Sequence, residues 1–94
     1  MYSLFTTRYA QKRIKKLDAF LKRFLLKEMK ILEKNPRAGQ QLTGSFSFLR
    51  SLHVGFRSAQ YRVIYQILEK EKQIVVHLIG PRENLYNRLK RLFK

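Results

Sequence analysis

Ninety-four residues, 45% of them apolar and including seven Phe and five Tyr, supply one small core and no second, so residues 1–94 are read as a single domain. Twenty-one Lys and Arg against six Asp and Glu leave a net charge of +15, with eleven of the basic residues in 1–37 and ten in 50–94. A field spread that evenly attracts polyanions, so the candidate partners are nucleic acid, an acidic protein or an anionic membrane.

The chain has no cysteine, which excludes a disulfide scaffold and thiolate metal sites. Its two His and six scattered acids form no ligand pattern, so no metal or other cofactor is expected. No apolar run approaches the roughly 18 residues of a membrane span, and MYSLFTTRYA lacks the layout of a signal peptide. A cytoplasmic protein without membrane attachment is expected.

Along the chain, YSLFT at 2–6 is a short strand candidate, and Thr6 or Thr7 suits the cap of a following helix. Ala10, Ile14, Leu17 and Leu21 follow a three-four spacing with Lys12, Arg13, Lys15 and Lys16 outside, which predicts an amphipathic helix from Arg8. Asp18 is placed to break that helix and cap a second, whose stripe continues through Leu25, Glu28 or Met29 and Leu32 until Asn35 and Pro36. NPRAGQQLTGS at 35–45 reads as a loop. From Phe46 the period becomes two: Phe46, Phe48, Arg50, Leu52 and Val54 share one face, and Leu49, Ser51 and His53 the other. Residues 55–60 are expected to turn the chain. Tyr61, Val63, Tyr65 and Ile67 then alternate with Arg62, Ile64 and Gln66. EKEKQ turns into a last strand, IVVHLIG, which stops at Gly80 and Pro81. ENLYNRLKRLFK is a short basic helix. The expected fold is α+β: an N-terminal strand and a helical hairpin packed on an antiparallel sheet of about four strands, with a short C-terminal helix.

The two long strands end in a cluster of basic and aromatic groups. Arg82 follows a strand end, where a guanidinium offers several fixed donors to a phosphate or to the charge that builds on it during reaction. Tyr86, one helical turn on, can move a proton or stack on a base. Arg62 alternates with the apolar Tyr61 and Val63 and so occupies the face opposite them, where it can hold a phosphate. His53 and His77 are the groups whose ordinary pKa suits proton transfer near neutrality, although His77 sits in a run that reads as core.

The order and spacing of LEKNPRAG, LTG, LRSLHVG, YRVIYQI and IGPRENLY resemble the RelE/ParE superfamily of toxins from type II toxin-antitoxin systems, and the resemblance covers nearly the whole chain. The RelE-like branch, ribosome-dependent endoribonucleases that cut mRNA, is favoured by the Arg and Tyr pair at 82 and 86. ParE-like members, which poison DNA gyrase, share the fold but generally lack that pair. A non-catalytic RNA-binding protein is a third reading.

The resemblance implies catalytic roles for Arg82, Tyr86 and Arg62, and RNA contacts from Arg50, His53 and Arg57. Family members carry a second basic residue two positions beyond the first, where this chain has Leu52, and the hairpin between Val54 and Tyr61 reads as about three residues longer than usual. The implied partners are a cognate acidic antitoxin, mRNA in the ribosomal A site and ribosomal RNA. With no carboxylate cluster to hold Mg²⁺, the 2′-hydroxyl of the RNA is the expected nucleophile, and cleavage is expected to be metal-independent.

Overall fold

The computed structural model describes residues 1–94. Strand β1 (Ser3–Thr6) leads into helix α1 (Arg8–Lys15), where the Thr7 side chain accepts a hydrogen bond from the Ala10 amide at 3.1 Å. Asp18 does the same for α2 (Ala19–Met29), accepting from the Leu21 amide at 3.3 Å. These caps satisfy amides that the first helical turn leaves without partners. A tightened turn at Lys30 separates α2 from the short α3 (Ile31–Lys34), a break the apolar stripe does not signal. Ala10, Ile14, Leu21, Leu25, Met29 and Leu32 are all buried against the sheet. Burying a side chain of the Leu or Met type contributes about 1.5–3 kcal/mol each, so this stripe accounts for much of the hairpin's attachment.

The sheet has five strands, one more than expected, in the order β1-β5-β4-β3-β2. The unforeseen strand is β2 (Gln40–Gln41), which pairs antiparallel with the start of β3 (Arg50–Phe56). Two exposed glutamines between glycines carry no period, so only tertiary pairing makes them a strand. Short 3-10 turns at Pro36–Ala38 and Gly44–Phe46 flank β2, and Phe46 and Phe48 lie before β3 rather than in it.

Strands β3, β4 (Ala59–Leu68) and β5 (Gln73–Pro81) form the expected meander, and β1 joins it parallel to β5. The β3–β4 hairpin is tighter than 55–60 suggested. Phe56 pairs with Ala59, leaving a two-residue turn at Arg57 and Ser58, with Arg57 in the left-handed region at φ 57°. The pairing of β4 with β5 slips between Ile64 and Tyr65, which face Leu78 and Val76, so His77 is the extra residue of a β-bulge.

The two sheet faces are covered unequally. Helices α1, α2 and α3 cover one, over Val54, Val63, Tyr65, Ile74, Val76 and Ile79. On the other, α4 (Leu85–Leu92) lays Leu85 and Leu89 on Leu42, Leu49, Ile64 and Leu78. One short helix cannot span the sheet. The end of this face beyond Ile64 and Leu78 is left open.

Candidate functional site

The open end can be built from the strand register. Ile64 pairs with Ser51 on one side and Leu78 on the other, and α4 roofs this row. Two residues along each strand on the same face, Arg62 lies between His53 and Gly80. In the next row Gln60 lies between Gly55 and Arg82, whose amide donates to the Gln60 carbonyl at 3.0 Å and so extends the β4–β5 ladder past Pro81. Glycines at two of these positions keep the floor low. An added Cβ at Gly80 would lie 2.7 Å from Nη1 of Arg88, which fills the space over that residue.

Tyr86, at the second position of α4, overhangs this floor and is half exposed. It lines an open cavity of about 230 Å³ together with His53 and Arg62, walled by Gln40 to Thr43 and by Ser51. Phe46 flanks the Tyr86 ring at 6.4 Å between centroids. The hydroxyl of Ser51 is buried there with no hydrogen-bond partner. Asn84, in the left-handed region at φ 64°, turns the chain from β5 into α4 and so sets where Tyr86 falls.

Electrostatically the cluster is cationic with one neutral base. Burial lowers the His53 pKa below its ordinary 6.5, and the charges of Arg62 and Arg82 lower it further. At neutral pH His53 is therefore an unprotonated imidazole beside a cationic cluster of Arg62 and Arg82. Such a set can bind a phosphate, stabilise added negative charge on it and accept a proton. No group of three or more His, Cys, Asp or Glu gathers to bind a metal ion.

The structure thus brings together Arg62, Arg82, Tyr86 and His53. Arg50 and Arg57 are not brought with them. Arg50 lies on the opposite face of β3, where its guanidinium donates to the carbonyls of Gly39 at 2.9 Å and Arg37 at 3.3 Å. Beside it, the Tyr65 hydroxyl donates to the Pro36 carbonyl at 2.6 Å and accepts from the Gly39 amide at 2.9 Å, so both side chains fasten the loop after α3. Arg57 sits at the hairpin tip, over the Phe56 ring at 5.1 Å, on the rim of a groove with Phe20 and Phe24.

Leu52 packs toward the helical core, so the titratable side chain that β3 offers to the open face is His53. Arg50, an odd number of residues away on the same strand, falls on the opposite face and pairs with Tyr65. His77 bonds Gln66 through Nε2 at 3.0 Å and meets the Phe93 ring edge-on at 5.1 Å, as a packed residue at the bulge. The wall from Gln40 to Thr43 carried no signal in the sequence, because it becomes part of the site only by pairing with β3.

The comparisons with known proteins agree with this architecture. The profile of the ParE-like toxins of type II bacterial toxin-antitoxin systems matches residues 4–90, and the chain belongs to that family. It is a toxin of the RelE/ParE superfamily. Among solved structures it is similar to a mutant E. coli RelE toxin in the free state, with 24% identity, a TM-score of 0.76 and 96% of each chain covered. It is also similar to the toxin in the intact E. coli RelBE toxin-antitoxin complex, with 23% identity and a TM-score of 0.73 over 89% of this chain and all of that one. The archaeal RelE-RelB complex from Pyrococcus horikoshii gives 25% identity and a TM-score of 0.65 over 88% and 97%. No curated protein matches the sequence.

Proposed function

We propose that this toxin is a ribosome-dependent endoribonuclease of the RelE type, which cuts messenger RNA at the open face of the sheet. The observation that carries the reading is the convergence of His53, Arg62, Arg82 and Tyr86 on one patch, with His53 held neutral. In this reading Arg62 seats the scissile phosphate and His53 takes the proton from the neighbouring 2′-hydroxyl. The 2′-oxygen then bonds to phosphorus. Arg82 stabilises the charge added to the phosphoryl oxygens, and the bond to the 5′-oxygen breaks. Tyr86 protonates that leaving oxygen, and its ring is placed to stack on the base beside it. The products carry a 2′,3′-cyclic phosphate and a 5′-hydroxyl.

The patch is open to solvent, so it does little to orient a free RNA. Fixing the reacting atoms in line contributes several kcal/mol to such a reaction, and in the RelE-like resemblance the ribosome provides that alignment. The chain's site residues bind phosphate by their own charge, and chelation of metal ions should leave cleavage intact. The E. coli neighbour is seen in a toxin-antitoxin complex and the Pyrococcus neighbour in a RelE-RelB complex. For this chain, at +15, an acidic antitoxin that covers the cationic face is the matching partner.

A second reading rests on the name of the matching family, ParE-like. A gyrase inhibitor would arrest growth with DNA breaks and intact messengers. Expression from an inducible promoter, followed by mapping of messenger ends and an assay for DNA breaks, separates the two readings.

A further inference from the structure

We propose a second phosphate-binding site, distinct from the catalytic patch, between α1 and α4, which holds the backbone of a single RNA strand. The proposal rests on the RNA reading above and extends it across the sheet. A cavity of about 450 Å³ is lined by Tyr9 and Arg13 of α1 and by Arg88, Arg91 and Leu92 of α4. Three guanidinium groups converge there, no carboxylate lines it, and the chain's one ion pair, Arg37 with Glu69, lies elsewhere. Nη1 of Arg88 is buried and has no hydrogen-bond partner. Gathering three such cations costs Coulomb energy in a chain already at +15, and a bound anion offsets that cost.

Two further observations favour RNA over an acidic peptide. The Tyr9 ring, 39% exposed, stands beside the arginines as a stacking surface for a base, the pairing of aromatic and cation that single-strand sites use. One side chain also reaches from the cavity toward the catalytic patch. Arg88 lies over Gly80, and Gly80 is the cross-strand partner of Arg62. Arg62, Arg88 and Arg13 thus succeed one another from β4 across β5 to α1, a cationic track on which successive phosphates of one strand can sit. Tyr86 and Arg88 fall on opposite flanks of α4, so the helix separates the two sites while its arginine joins them.

The test uses the whole chain and a 2′-O-methylated RNA twelve-mer, which binds but cannot be cut, so cleavage does not enter the readout. Affinity is measured by fluorescence anisotropy across a salt series for the parent, for Arg13→Gln with Arg91→Gln, and for Lys30→Gln with Lys34→Gln. The last pair removes the same charge from exposed positions at the end of the helical hairpin. The arginine pair should weaken binding about 10-fold or more and lower the salt slope by about 1 to 1.5, two phosphate contacts at about 0.7 each, while the lysine pair changes affinity less than about 3-fold.

Equal losses in the two pairs would mean a diffuse field and overturn the site. An oligoglutamate of equal charge that binds more tightly than the RNA, with the same dependence on Arg13 and Arg91, would assign the cavity to a protein partner and overturn the RNA assignment. Should the parent fail to cut messengers while the arginine dependence holds, the cleavage reading fails and this site stands.

Discussion

Arg82 and His53 face the same phosphate in the proposed reaction but do different work, and substitution separates them. Losing one preorganised charge donor or one acid-base group lowers a rate by roughly 100- to 1,000-fold, so Arg82→Ala, His53→Gln and Tyr86→Phe should each reduce messenger cleavage by about that factor at unchanged thermal stability. The pH profile identifies the base. Burial and the flanking charges of Arg62 and Arg82 hold the His53 pKa below 6.5, so its neutral form is filled above that value. Cleavage in the parent should be flat above about pH 6.5 and fall on the acid side, and His53→Gln should lack that acid limb. Arg50 is the contrast. Its bonds to the Gly39 and Arg37 carbonyls predict that Arg50→Ala costs about 1–3 kcal/mol in urea unfolding, while the folded fraction keeps its cleavage rate.

At the scale of elements, α4 is the part whose packing the site depends on most. It is held by Leu85 and Leu89 over Ile64 and Leu78, and Leu89 is fully buried, so Leu89→Ala should cost about 2–5 kcal/mol and loosen Tyr86 with it. A fall in activity larger than the unfolded fraction explains is the expected sign. The bulge at His77 gives the fold a pH dependence of its own. Burial lowers the His77 pKa below 6.5, so the unfolded chain binds the proton more readily. The stability this residue contributes is complete above about pH 6.5 and is lost as pH falls through the folded value. Urea melts of His77→Gln should show a shallower acid slope than the parent.

The helices, caps and long strands were legible because their periods and caps are local: Thr7 and Asp18 cap where their side chains suggest. Of the candidate site, Arg62, Arg82 and Tyr86 were legible, from the alternation along β4 and from the turn that ends β5 and starts α4. What the sequence hid depends on pairing between distant residues. That His53 rather than Arg50 faces Arg62 follows from the register of β3 on β4, and a shift by an odd number of residues would exchange the two faces of the strand. The role of Tyr65 was equally invisible, because a buried hydroxyl bonded to Pro36 and Gly39 looks in the sequence like any alternating aromatic.

For the whole molecule the decisive quantity is the charge of +15 borne by a fold with one face only partly covered. That combination suits a protein drawn to a large polyanion and neutralised by an acidic partner. The most direct measurement is a reconstituted one: purified protein added to ribosomes carrying a defined messenger, with chelator added after the ribosomes are fixed on it and their integrity checked. The expected result is cleavage within the ribosome-bound segment, new ends bearing 2′,3′-cyclic or 3′-phosphate, no loss of rate with chelator, and no cutting by the protein carrying both Arg82→Ala and Tyr86→Phe. A messenger that stays intact beside supercoiled DNA that gyrase breaks, or a doubly substituted protein that cuts as fast as the parent, would contradict it.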